Sequence, residues 1–320
     1  AASARSERLT CETADLPVRI AAAFATILDT DDSQPMPFNM QVGTEDLEAA
    51  YRRVLVSTPQ YTVVAVWDTD AEEVALFEMP GYNFGLHSAV LSFNRVAHSL
   101  CEVARRLFAV CTGHYYDDFV CAEPDFALGS GQDMLCCVLR AMGLPASTEK
   151  HVAMSRRGVF LGVLNDFSQM RSTRVVSLAT DAEKQRVTLL MVESARSSAK
   201  LSPMAASKLA GRLGFACAWA ACRIGRAAMQ PIYRRASADA ARSHATDVAL
   251  DASLDFFASI MGRAGGIPPK LYFLGTRRRP VVRVWTDASA GETLGEHGRL
   301  GFVVCFPAEE LRGKLVPERW

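Results

Sequence analysis

The stretch GHYYDDFV, residues 113–120, sets two adjacent carboxylates, Asp117 and Asp118, behind two tyrosines and ahead of a short apolar run. Neighbouring aspartates repel each other, so the placement needs a reason. A tight turn between strands is one, because Asp is a favoured turn residue. A site for a divalent cation is another, because a hairpin turn brings adjacent side chains to one place. The surrounding sequence has to decide between them.

A chain of 320 residues suggests about two domains. Apolar residues make up 49% and charged residues 22%, enough to bury a core and too apolar for a chain disordered throughout. The 35 basic and 35 acidic residues balance, so whole-chain charge says nothing about nucleic acid. Its distribution does: Lys200–Arg242 holds eight basic residues against Asp239 alone, a net +7 in 43 residues. Arg277–Arg279 is a second basic spot. Such surfaces attract phosphate, the alternative being a solvated helix face. The nine cysteines are scattered singly except for Cys136–Cys137. Cys217 and Cys222 have no His at ligand spacing, so core thiols in a reducing compartment are expected. No run reaches the ~18 apolar residues of a membrane span. IAAAFATIL at 20–28 lacks a basic flank and a cleavage site and reads as the core face of a helix. Cytoplasm or nucleus is the expected location.

Working outward from 113–120, residues 1–40 predict a helix and then a polar loop. EDLEAAYRRV at 45–54 reads as helical, with Asp46 as its capping or surface residue. YTVVAVWD and EEVALFEM read as strands around a turn at 69–71. From Leu86 to Phe108 the apolar spacing predicts one long helix. Beyond the two aspartates come a helix near 129–142 and strands near 151–154 and 158–164. Residues 180–262 read as mostly helical, punctuated by Pro203 and Pro231. GRAGGIPPK at 262–270 reads as a linker, and VVRVWTDAS and GRLGFVVCF as two further strands.

These segments, taken in order, resemble the reverse transcriptases of retroelements. Tyr115-Tyr116-Asp117-Asp118 is similar to that family's Tyr-x-Asp-Asp hairpin. Asp46-Leu47-Glu48-Ala49-Ala50-Tyr51 resembles the motif with the first metal-binding Asp and a bulky residue five positions on. Phe84-Gly85-Leu86 resembles a turn that lines nucleotide and template. Glu149-Lys150, after Gly143-Leu144, resembles the segment with a characteristic lysine. Phe160-Leu161-Gly162 resembles the strand turn that grips the primer end. LAGRLGFACAWAACRIGRAAMQPIYRRA at 209–236 is similar to helices beyond the palm in LTR or tyrosine-recombinase retrotransposons, and Asp287 in WTDAS to the first strand of a ribonuclease H domain.

The resemblance implies an α+β fold: an antiparallel polymerase palm with helices, a helical thumb, and a truncated ribonuclease H-like α/β unit. The expected boundaries are a partial fingers segment at 1–40, palm at 41–165, thumb or connection at 166–262, and ribonuclease H-like segment at 263–320. It implies nucleotidyl transfer by Mg²⁺ or Mn²⁺ held by Asp46, Asp117 and Asp118, with Asp118 assisting. Lys150 would protonate the leaving phosphate. Tyr51 would exclude a 2′-hydroxyl, the alternative being a core aromatic. Phe84, Gly85 and Tyr115 would line the nucleotide site, and Phe160, Leu161 and Gly162 the primer site. The implied partners are an RNA template, a DNA primer, deoxynucleoside triphosphates and the rest of a retroelement polyprotein, with no membrane. The family's basic fingers have no counterpart in the 45 residues before Asp46, where Arg5, Arg8 and Arg19 are the basic residues. A piece of a polyprotein is therefore expected, the alternative being a catalytically silent nucleic-acid-binding module or a decayed mobile-element remnant.

Overall fold

The structure is a computed structural model describing residues 11–28, 34–83, 87–221, 224–237, 244–263 and 265–275, with the backbones of 283–289 and 299–305. Along the chain, α1 (Leu16–Leu28) precedes β1 (Met40–Asp46), β2 (Val63–Asp68) and β3 (Glu73–Glu78). Then come α2 (His87–Phe108), β4 (Thr112–Tyr115), β5 (Asp118–Pro124) and α3 (Ser130–Ala141). The short strands β6 (Val152–Ser155), β7 (Arg157–Phe160) and β8 (Val163–Asp166) lead through α4 (Met170–Thr173) to β9 (Val175–Thr180). Four helices follow: α5 (Ala182–Ser198), α6 (Pro203–Ala218), α7 (Met229–Ala236) and α8 (Val248–Met261). β10 (Lys270–Phe273), β11 (Arg283–Ser289) and β12 (Arg299–Cys305) complete the described elements. This is the expected α+β architecture. Among the described residues no helix is long and apolar enough to cross a membrane.

The central sheet is antiparallel, in the order β4-β5-β1-β6. Its inner strands β1 and β5 bury both faces, and alternation assigns each residue to one of them. Phe119 and Cys121 of β5 pack with the α2 residues Ala89, Phe93, Ala97, Leu100, Cys101 and Ala104, and with Leu135 and Leu139 of α3. Val120 and Ala122 point the other way, joining Met40 and Val42 of β1, α1 and the second sheet. That sheet runs β10-β9-β8-β7. α5 to α8 share a separate core around Leu209, Leu213, Leu254 and Phe257. Ser202 caps α6 with Pro203 at its first position, and Asp181 and Asp247 cap α5 and α8.

Several local expectations change. Asp46 closes a strand; the helix after it is a single 3₁₀ turn, Ala50–Arg53. The strand expected at 158–164 is a hairpin, β7 and β8, reversing at Leu161 (φ 51°) and Gly162 (φ 76°). Two successive left-handed residues match the twist of a two-residue hairpin. β9 was not anticipated, and the segment expected to link two domains ends in β10, which pairs with it. Contacts accordingly divide the chain into Ala1–Gly275 and Thr276–Trp320, so residues 263–275 belong with the first unit. In the second unit β11 and β12 form an antiparallel pair, with Asp287 opposite Gly301 and two strand residues beyond it.

β7 crosses β1 closely. A Cβ on Gly158 would lie 2.6 Å from Val42 Cγ1 and 3.0 Å from the Val42 carbonyl oxygen. Gly158→Ala is therefore expected to lower the unfolding free energy by about 1–3 kcal/mol, the usual cost of overpacking. Urea denaturation checks it; an unchanged midpoint would mean that the two strands separate freely.

Candidate active site

The site begins with the register of β1 against β5. Seven paired positions run from Met40 opposite Pro124 to Asp46 opposite Asp118. Met40, Val42, Thr44 and Asp46 share one face by alternation, as do Asp118, Val120 and Ala122. The two aspartates thus stand side by side where this face emerges from the core. β4 returns the chain so that Tyr115 pairs with Asp118, leaving Tyr116 (φ 54°) and Asp117 as the turn. The Asp117 carbonyl lies 3.4 Å from the Leu47 N–H. The sequence thus brings together three carboxylates, although Asp46 and Asp117 are far apart in the chain.

The segment after α3 locks onto the end of β1. The Ser147 N–H donates to the Asp46 carbonyl at 2.7 Å, and the Glu48 N–H to the Pro145 carbonyl at 3.0 Å. This sets Lys150 beside the carboxylates, its Nζ donating to Asp46 Oδ1 at 2.9 Å. That bond, and then the charge of Asp46, raise the Lys150 pKa. The Asp118 carboxyl is pushed up to about 6 from 3.8, first by burial and then by Asp117 and Asp46, with Lys150 opposing. Asp118, expected to assist, is thus the residue paired with Asp46, and Asp117 occupies the turn.

Asp46, Asp118 and Lys150 line a cleft of about 700 Å³. Tyr115, Phe160, Leu161 and Gly162 line it too, so the candidate primer turn faces the candidate carboxylates. Phe215 and Trp219 contribute from the α6 end of the helical region. Lys184 is a cleft residue that the sequence reading missed. Its ammonium packs over the Phe215 ring at 5.3 Å and fills the space above Gly162, where a Cβ would collide with it. In the sequence it looks like one more solvated charge on a helix.

Tyr51 lies deeper. It is 8% exposed and stacks on Phe93 with ring centroids 4.3 Å apart. Burial raises its pKa, with Asp117 as the next cause, which places the phenol in the field of the turn. Phe84 and Gly85 lie outside the described residues, as does the side chain of Asp287. In the basic segment Lys200, Lys208, Arg212, Arg226 and Arg234 are exposed, while Arg235 donates to the Leu201 and Ala245 carbonyls. Arg223 and Arg242 fall outside the described residues.

No family model matches the chain, and no curated protein matches it. Solved structures do. A foamy viral protease-reverse transcriptase in complex with an RNA/DNA hybrid is 12% identical with a TM-score of 0.53, covering 82% of this chain and 31% of that one. The fold is reverse-transcriptase-like. The dRH form of the foamy viral enzyme with double-stranded DNA is 12% identical (TM-score 0.52), covering 88% of this chain and 43% of its own. A third structure, with double-stranded DNA, is 13% identical (TM-score 0.52), covering 82% and 48%. The chain therefore spans less than half of each of these proteins.

The site carries an electrostatic cost that a neutral side chain would remove. In the presence of a chelator near neutral pH, Asp118→Asn is expected to raise the unfolding free energy by on the order of 1 kcal/mol, because it deletes one of three crowded charges. Equal or lower stability in urea denaturation would show that Lys150 already compensates the cluster.

Proposed function

We propose that this chain is the polymerase core of an RNA-directed DNA polymerase belonging to a retroelement polyprotein of the LTR or tyrosine-recombinase type. The observation that carries the reading is the opposition of Asp46 and Asp118 in a cleft, with Asp117 in the adjoining turn. In this reading residues 1–40 are partial fingers, 41–165 the palm, 166–275 the thumb or connection, and Thr276–Trp320, with Asp287, the ribonuclease H-like segment.

The donor set suits Mg²⁺ or Mn²⁺, since it is all oxygen and its crowded negative charge favours a hard cation. When bound there, the metal would lower the pKa of the primer 3′-hydroxyl and neutralise the leaving pyrophosphate. The primer oxygen attacks the α-phosphorus of a deoxynucleoside triphosphate, and the bond to the bridging oxygen breaks. Lys150, kept charged by Asp46, is placed to pass a proton to the departing pyrophosphate. Tyr115 and the Phe160–Gly162 turn hold the primer end, and Lys184, also on the cleft lining, meets a phosphate. Tyr51 acts from beneath as a rigid floor under the sugar, braced by Phe93. Phe84 and Gly85 would let the backbone approach the nucleotide.

Extension of a labelled DNA primer on an RNA template tests the reading. Extension is expected to require Mg²⁺ or Mn²⁺ and to disappear in Asp117→Asn and in Asp46→Asn. Extension by these variants at the wild-type rate would place the chemistry elsewhere. Binding of the hybrid without extension by the wild type would favour the silent nucleic-acid-binding module. Binding itself is expected to weaken steeply with salt. If four or five of the exposed basic residues meet phosphates, log affinity falls against log salt with a slope near roughly −4. A flat response would remove the helices from the interface.

A further inference from the structure

A second constellation is built around Glu45, which borders both the cleft and a smaller cavity. Glu45 points away from Asp46, toward α3, and is 2% exposed. A buried carboxylate is costly unless every oxygen is compensated. Its Oε1 is, receiving Gln132 Nε2 at 2.6 Å and lying 2.7 Å from His151 Nδ1. Among the described residues Oε2 has no hydrogen-bond partner. Cys136 stands one helical turn beyond Gln132, on the same face of α3. One ligand atom each from Glu45, Cys136 and His151 lies within 4.8 Å of the others. They border a cavity of about 180 Å³, with the exposed Arg140 also on its lining.

We propose that Glu45, Cys136 and His151 form a zinc site. A carboxylate oxygen, a thiolate and an imidazole are a borderline-soft donor set, which suits Zn²⁺ and not Mg²⁺. Three protein ligands leave the fourth tetrahedral position to water from the adjoining cavity. Binding takes up the orphaned Oε2, and the Cys136 thiol gives its proton to solvent as the sulfur–zinc bond forms. Gln132 orients the carboxylate: Nε2 also donates to the Val152 carbonyl at 2.8 Å, and Oε1 accepts from the Met154 N–H at 3.1 Å. Gly43 leaves room for it, since a Cβ there would lie 2.6 Å from Gln132 Oε1. Gln132 is thus a positioning residue.

The zinc would tie together three elements: β1, α3 and the segment just before β6. His151 follows Lys150 directly, so the ion would fasten the segment that presents Lys150 to Asp46. The proposal does not depend on the polymerase reading, because it uses none of Asp46, Asp117, Asp118 and Lys150 and its readout is metal content.

The full chain, loaded with Zn²⁺ and dialysed against metal-free buffer, is expected to keep one zinc ion per molecule. Replacing the zinc with Co²⁺ should give thiolate-to-cobalt absorption. Cys136→Ser should abolish that absorption and weaken zinc binding by more than about 100-fold, and Gln132→Ala by about 10–100-fold. Asp118→Asn should leave both readouts unchanged. A wild-type chain that retains no zinc and shows no cobalt–thiolate band overturns the proposal without reference to any variant's folding. So does a band that survives Cys136→Ser, which would assign the ion to another cysteine, or zinc lost only in Asp118→Asn, which would assign it to the cleft.

Discussion

The pairing of β1 with β5 is the constraint on which the rest depends. Strand side chains alternate with a period of two, so a slip of one residue would exchange the faces of a whole strand. Here such a slip would turn Asp46 toward α3 and aim Glu45 into the cleft. The cores on the two sides prevent it. Val120 and Ala122 are buried against α1 and the second sheet, while Phe119 and Cys121 are buried against α2 and α3. The large apolar side chains therefore hold the position of two carboxylates that they do not touch. Packing energy is spread over many residues, whereas the chemistry needs the last pair of the ladder.

What was legible in the sequence follows from how local each signal is. The Asp-Asp hairpin and the α2 stripe are encoded within a few residues, and each forms where expected. Asp46 was misread as helical because EDLEAAYRRV is rich in helix formers. Pairing with β5, distant in sequence, overrides that propensity and leaves only one 3₁₀ turn. The turn within 158–164 was hidden because Leu161 takes a left-handed conformation in which a leucine is not anticipated. β9 and β10 complete each other across nearly a hundred residues, and no short window displays that partnership. The convergence of Asp46 with Asp118 was inferred from motif order alone; spacing could not have supplied their register.

Electrostatics set the character of the cleft. Three carboxylates gather there, and burial first, then the charges of Asp117 and Asp46, raise the pKa of Asp118. Lys150 relieves part of it through a bond to Asp46, so its ammonium stands where positive charge is most needed. The surrounding segment is held by main-chain hydrogen bonds to β1, so this lysine is presented by the carboxylate strand itself. Lys184 adds a second cation to the cleft lining, its ammonium packed over the Phe215 ring. In the proposed reading, a cleft lined by carboxylates and two lysines suits a substrate whose phosphates must be gripped while one phosphorus is brought to a metal.

On the two proposed assignments, donor chemistry would separate two cations along one strand. Asp46 and Asp118 offer only oxygen, in a cleft open to water, and Mg²⁺ keeps most of its water while using few carboxylates. One residue earlier, Glu45 lies beside sulfur and imidazole, where Mg²⁺ would have to surrender water for donors it binds poorly. Zinc gains from those donors and needs only four ligands. Alternation along β1 points the two neighbouring carboxylates in different directions. A cation in the inner pocket would therefore act on the cleft mechanically, by holding the His151 and Lys150 segment against the strand, rather than by competing for the aspartates.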